Sequence, residues 1–295
     1  MKILGNTRYA PHKRASKRAA LGIAFMLICL LSCNTPGSIA KFTSSAVATL
    51  GSGDPFFDDM KASCVREAQT REPFGNFAIS DPSPAACDNI GKQAEGLKAA
   101  SKLLSSYFTA LNDLASFGNT KAGDGAKDLA TKASGQAKLS AASQKALASI
   151  ADFLTGVATS AYQQKKLADS VVKVHGDIKA ALDGLGEAVG VAYLHQLQDE
   201  EEKTASRYRE FLLAHQGATD AILALDSRWE SDRASFAAKQ KAAQSYQAAL
   251  DTVSKGNEDL AAHARNLKAK ELPGLLSPYA AQLESMVPAI QKAFF

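Results

Sequence analysis

TDAILALDSRWESDRASFAAKQKAAQSYQAALDTVSKGNEDLAAHARNLKAKEL, residues 219–272, is the stretch whose reading decides the fold. Ile222, Trp229, Phe236, Ala243, Leu250, Asn257 and Ala264 recur every seven residues. Leu225, Asp232, Lys239, Tyr246, Val253, Leu260 and Leu267 repeat with the same period, offset by three. Alternating steps of three and four place all these side chains on one stripe of an α-helix, the a and d positions of a heptad seam. Three polar residues, Asp232, Lys239 and Asn257, interrupt it. Thr219 or Asp220 supplies an N-cap side chain. Pro273-Gly274 is expected to end the helix, because the residue before proline disfavours the α region. A helix from Thr219 to Leu272 would be about 80 Å long at 1.5 Å per residue. It could not bury its stripe alone, so it needs neighbouring helices or a second copy of the chain.

Working outward, the rest of the chain carries the same signal. The nine prolines stand at 11, 36, 55, 73, 82, 84, 273, 278 and 288, so none breaks a helix between Pro84 and Pro273. Leu97, Leu104, Tyr107, Leu111, Leu114 and Phe117 form one apolar stripe that stops at Gly118-Asn119. Residues 119–135, with Gly123, Gly125 and Gly135, read as a loop with at most one helical turn. A second stripe runs from Leu147 through Ile150, Leu154, Ile178, Leu182, Leu185 and Val189 towards Tyr193, Leu197, Tyr208 and Phe211. Gly176, or the group Gly184, Gly186 and Gly190, is where it should kink or break. Asp54-Pro55 opens a short helix carrying Phe56, Phe57, Met60 and Cys64, and Ser277-Pro278 opens another. The expected fold is all-α: an elongated antiparallel helical bundle with long coiled-coil-like helices and a disulfide-stapled N-terminal cap. Its single domain spans 54–295, with the cap at 54–92, long helices at 93–272 and a short C-terminal helix at 273–295.

The first 32 residues stand apart. Lys2, Arg8, Lys13, Arg14, Lys17 and Arg18 precede a mainly apolar run from Ala19 to Leu31. A basic segment followed by an apolar core of this length is an export signal, too short to cross a bilayer as a helix. Leu30-Leu31-Ser32-Cys33 resembles the lipobox of bacterial lipoproteins. That resemblance implies cleavage before Cys33, lipidation of Cys33 and, with Asn34 rather than Asp next to it, sorting to the outer membrane. Residues 33–53 would then be a flexible tether. Ser38-Ile39-Ala40 offers a second cleavage site, which would release a soluble periplasmic or secreted protein. The whole chain has 34 basic and 30 acidic residues. The leader holds six of the basic ones and no acid, leaving 28 against 30. The body is therefore faintly acidic, and no nucleic-acid partner is expected.

Cysteine usage agrees with export. Cys29 lies in the leader and Cys33 would carry lipid, so Cys64 and Cys87 remain. Two such cysteines in an oxidising compartment are expected to form a disulfide, which would staple the segment with Pro73, Gly75, Pro82 and Pro84.

Motifs for chemistry are lacking. No HExxH, Glu-x-x-His, CxxC or Gly-x-Ser-x-Gly occurs, so no metal, cofactor or catalytic residue is expected. His195 with Asp199, and Asp259 with His263, read as surface pairs at i,i+4. Asp199-Glu200-Glu201-Glu202 reads as a solvated face offset by Lys203, Arg207 and Arg209. Trp229, flanked by Arg228 and Arg233, is either a core residue or an anchor for a partner. The expected function is non-catalytic: a membrane-anchored envelope module that binds or scaffolds a protein partner or associates with itself. The alternative is a helical ligand-binding protein, or a membrane-active one inserting the apolar stretch Ala180–Leu197. A pocket lined by polar groups would favour ligand binding, and a continuous exposed apolar patch would favour membrane action.

Overall fold

The structure, a computed structural model, describes residues 34–70, 85–115, 121–158, 164–266 and 272–294. Nine α-helices occur among them: α1 (Asn34–Gly51), α2 (Asp54–Thr70), α3 (Ala85–Ala115), α4 (Ala126–Gln136), α5 (Ala141–Ala158), α6 (Gln164–Glu187), α7 (Leu194–Ala214), α8 (Thr219–His263) and α9 (Leu272–Gln291). A π-helical segment, Ala188–Tyr193, joins α6 to α7 without a loop. No strand occurs among the described residues.

The helices share one core. α1 packs between α3 and α9, and α9 lies on α8. α2 rests on α3 and α7, α4 bridges α3 and α5, and α6 sits between α5 and α8. Phe42 of α1, Phe56 of α2, Tyr107 and Phe108 of α3, Ile150 of α5, Ile178 of α6, Leu250 of α8 and Leu283 of α9 all belong to the same buried cluster. Burying each large apolar side chain contributes roughly 1.5–3 kcal/mol. Aromatic rings meet edge to face between α1 and α3, Phe42–Phe108 at 6.0 Å, and between α2 and the π segment, Phe56–Tyr193 at 5.6 Å.

The seam of α8 faces inward. Phe236, Ala243, Tyr246, Leu250, Val253, Asn257 and Leu260 are buried, while Ile222, Leu225, Trp229, Asp232 and Lys239 are half-buried. Each polar interruption has a partner on another helix. Asp232 accepts from Tyr208 of α7 (2.8 Å), Lys239 donates to Asp59 of α2 (2.9 Å), and Asn257 accepts from Tyr107 of α3 (3.0 Å). Close approach of α8 to α1 depends on Gly256, where a Cβ would lie 2.3 Å from the Phe42 ring.

Several boundaries differ from the sequence reading. The segment expected as a flexible tether, 33–53, contains helix α1, with Phe42, Ala46 and Leu50 fully buried. The loop expected at 119–135 holds helix α4, because Ala126, Ala130 and Ala133 bury a small-residue face that an apolar count overlooks. Helix α8 ends at His263 and a 3-10 turn, not at Leu272. Pro273 stands in the first turn of α9, where its missing N–H costs no helical bond. α9 therefore starts before Ser277 and contains both Pro278 and Pro288. Ala218 is the N-cap of α8, with no side-chain cap from Thr219 or Asp220.

The second stripe is divided where its spacing demands it. Leu185, Val189, Tyr193 and Leu197 are four apart, so twelve residues cover three turns, about one residue more than 3.6 per turn allows. The π segment absorbs that residue and keeps Val189, Tyr193 and Leu197 buried. Gly190 lies within it, with the Gln247 side chain of α8 where a Cβ would project. Gly176 interrupts nothing. The apolar stretch Ala180–Leu197 is thus largely core, and no described helix is long and apolar enough to cross a membrane.

Candidate functional site

α2 is the element from which the site is built. Asp59, Ser63 and Arg66 are spaced by four and three and so share a face. Beside that face, Cys64 bonds to Cys87 of α3, with the Cα atoms 5.6 Å apart, and this fastens α2 in place. The π segment aims Tyr193 at α2, α7 brings Glu200, and α8 brings Lys239.

These groups close into a buried network. Arg66 Nε donates to Glu200 Oε1 at 2.5 Å, and its Nη2 reaches Glu200 Oε2 at 3.1 Å and Asp59 Oδ1 at 2.9 Å. Ser63 donates to Glu200 Oε2 at 2.6 Å. Tyr193 donates to Asp59 Oδ2 at 2.7 Å, and Lys239 Nζ bridges both Asp59 oxygens at 2.9 and 3.0 Å. Glu200 is only 2% exposed, and such a carboxylate is tolerated because donors surround it. Burial works to raise the Asp59 pKa, but Arg66 and Lys239 outweigh it and hold the carboxyl below its ordinary value. Burial works to lower that of Arg66, and the bonds to Glu200 and Asp59 outweigh it in turn. Burial, reinforced by Asp59, pushes the Tyr193 hydroxyl up. All three shifts fix the charge state already present at neutrality, whereas a general acid or base needs a pKa near the working pH.

Above the network, α2, α7 and α8 diverge around a cavity of about 540 Å³. Arg66, Glu200 and Lys239 form its floor. Tyr208, Phe211, Leu225 and Phe236 supply apolar wall, while Arg207, Arg228 and Asp232 stand along the sides. Arg207 Nη1 donates to the Gln69 carbonyl at the end of α2, and Lys203 pairs with Glu67 one turn below. Burial and the hydrogen bond to Asp232 push the Tyr208 hydroxyl up to about 12.

No family model matches this chain, and no curated protein or solved structure matches it either.

Of the residues singled out in the sequence, Arg228 lines the cavity and lies 3.4 Å from Asp232. Trp229 is half-buried against Tyr208, ring centroids 5.4 Å apart, and so braces the cavity wall. Arg233 points elsewhere and pairs with Glu230 on the surface at 3.7 Å. Cys33 lies outside the described residues, as does the Pro/Gly-rich segment 71–84. His195 and Asp199 make the expected exposed pair at 3.3 Å. His263 bonds the Asp259 carbonyl, while the Asp259 carboxylate accepts from Tyr279. The acid run 199–202 is not one solvated face: Glu200 is in the network and Glu201 accepts from Gln240 of α8. Asp59, Arg66, Glu200, Lys239 and Tyr193 were not legible as a site. The one available signal was Lys239 in an apolar seam, since a half-buried charge there requires an opposite charge nearby.

Proposed function

We propose that the chain is an outer-membrane lipoprotein of the cell envelope, facing the periplasm, whose helical bundle is a non-catalytic binding module. The cavity between α2, α7 and α8 is its binding seat. The observation that carries this reading is a 540 Å³ concavity with apolar walls over a floor of fixed charges, the size and character of a small-molecule site. Groups locked in one charge state by their partners suit recognition better than proton transfer. The long helices run antiparallel in coiled-coil fashion. In support, α7 and α8 pair Glu201 with Gln240 and Tyr208 with Asp232, the register of two helices folded back on each other.

The lipid anchor draws support from α1. Ser38 and Ile39 of α1 are buried. Cleavage after Ala40 would strip residues packed into the bundle. Cys33→Ala is expected to abolish membrane retention, because the acyl chains are the anchor. Labelling with radioactive palmitate followed by cell fractionation tests it. Unlabelled wild-type protein in the soluble periplasm would refute the anchor and favour release at Ala40.

A scaffolding role has its own observation. At the turn joining α7 to α8, Leu213 is 70% and Leu223 62% exposed, which suits contact with a partner or a second copy. Pull-down from crosslinked envelopes, comparing wild type with a Leu213→Glu, Leu223→Glu variant, separates this role from ligand binding at the cavity.

A further inference from the structure

We infer that the cavity takes an amphipathic organic anion: a small molecule with a carboxylate, sulfonate or phosphate head on an apolar body. This rests on the reading of the cavity as the binding seat and adds the chemistry of what fills it.

The acids of the site are already engaged by the protein's own cations and hydroxyls. Asp59 accepts four hydrogen bonds, two from Lys239 and one each from Arg66 and Tyr193. Glu200 accepts three, from Ser63 and Arg66. Asp232 accepts from Tyr208 and faces Arg228. Arg66 is different. A guanidinium carries five N–H donors in a fork, and Arg66 uses Nε and Nη2 on the two acids, leaving Nη1 without a partner among the described residues. Among the described residues, four cations, Arg66, Arg207, Arg228 and Lys239, stand at the cavity with three acids, Glu200 and Asp232 in its wall and Asp59 beneath Arg66 and Lys239, which leaves one positive charge in excess. The excess is positive inside a concave wall that limits screening by water, which favours an anionic head. Guanidinium forks match the planar or tetrahedral oxygens of carboxylate, sulfonate and phosphate.

The remaining wall is apolar. Phe211, Leu225 and Phe236 line the same volume, far more than an inorganic ion would fill. Burying an apolar body there is favourable, while the head reaches the arginines. An inorganic anion would leave that surface wet, and a neutral apolar molecule would leave the donors unmet.

A matched pair of dyes tests this. 1-Anilinonaphthalene-8-sulfonate carries the charged head, and N-phenyl-1-naphthylamine has nearly the same rings without it. Binding to the purified chain is followed by fluorescence, with Ser235→Trp, which fills the cavity from an exposed position, as the measure of dye taken up elsewhere. The sulfonate is expected to bind at least tenfold tighter than the neutral dye, and both to be lost in Ser235→Trp. Arg207→Gln combined with Arg228→Gln is expected to weaken the sulfonate about tenfold and leave the neutral dye unchanged, with an unaltered melt showing an intact fold. Sodium laurate and sodium 1-naphthoate then compete for the site. Displacement by the first assigns an acyl body, by the second an aromatic one, and by neither overturns the inference. Displacement by sodium phosphate at equal concentration also overturns it. If the neutral dye binds as tightly as the sulfonate and is lost in Ser235→Trp, the anionic head is refuted and the cavity stands. If neither dye binds, the cavity falls as the seat, and the inference with it.

Discussion

Asp59 carries more of the local electrostatics than any other single residue. Its carboxylate joins α2 to the π segment through Tyr193 and to α8 through Lys239. Burial alone would raise its pKa, and the two cations beside it reverse that. Because the folded-state value lies below that of the unfolded chain, its stabilising contribution is whole above about pH 4 and is lost as pH falls through the lower folded value. Urea melts of wild type and Asp59→Asn are therefore expected to differ by a constant amount from neutrality down to about pH 5 and to converge below about pH 4. A gap unchanged down to pH 2.5 would mean that Asp59 is not the titrating partner. Little of this was readable from residue types. Asp59 and Arg66 are ordinary members of a charged helix, and Glu200 sits in a run of four acids that reads as solvated. Only the fold decides which of the four turns inward.

At the scale of elements, periodicity was the reliable guide, and it failed where side chains are small or backbone rules compete. From Phe236 to Leu260 the apolar seam of α8 is buried as its spacing requires, towards Ile222 it is half-buried, and its polar members have partners. Leu250, 2% exposed in that seam, should cost roughly 2–5 kcal/mol as Leu250→Ala. Lys241→Ala, on the exposed side, should cost under about 0.5 kcal/mol. Thermal melts followed at 222 nm compare the two. Equal melting of both variants with wild type would show that the seam is not packed core, and normal melting of Leu250→Ala with lost self-association would place the seam against another copy. Helices α1 and α4 escaped notice because alanine, serine and threonine make up much of their buried faces. Thr43 and Thr49 satisfy their hydroxyls on carbonyls four residues back, so polar composition there does not signal a loop. The proline rule misplaced the end of α8 because proline in a first turn opens a helix instead of closing one.

At the scale of the molecule, one core holds the nine helices of the described residues, and the Cys64–Cys87 bond ties the charged face down. Cys64 and Cys87, 23 residues apart, are the expected pair. In the chain-entropy account, closing a loop of that length contributes about 3 kcal/mol. Cys64→Ser with Cys87→Ser should lower stability by about that amount in urea melts, and reduction of wild type should match it. An unchanged midpoint would mean that packing alone holds α2. Because Arg66 lies half a turn beyond Cys64, the double variant should also weaken whatever occupies the cavity. The leader, the lipobox and the segment 71–84 lie outside the described residues, so compartment was legible only as sequence.

The three polar seam residues of α8 also have a mechanical consequence. Lys239 is held to α2 and Asn257 to α3, some 27 Å apart along the same rod at 1.5 Å per residue. Two bolts at different heights stop it from sliding or turning, since any slip breaks both at once. On the N-terminal side of Phe236 the rod is largely exposed, and among the described residues α7 is what packs on it. Among the described residues it is a cantilever: clamped at the base and braced by α7 alone towards the tip, with the cavity in the crook where the clamp ends. A load on the leucines at the far turn would bend it, and bending would widen or narrow that crook.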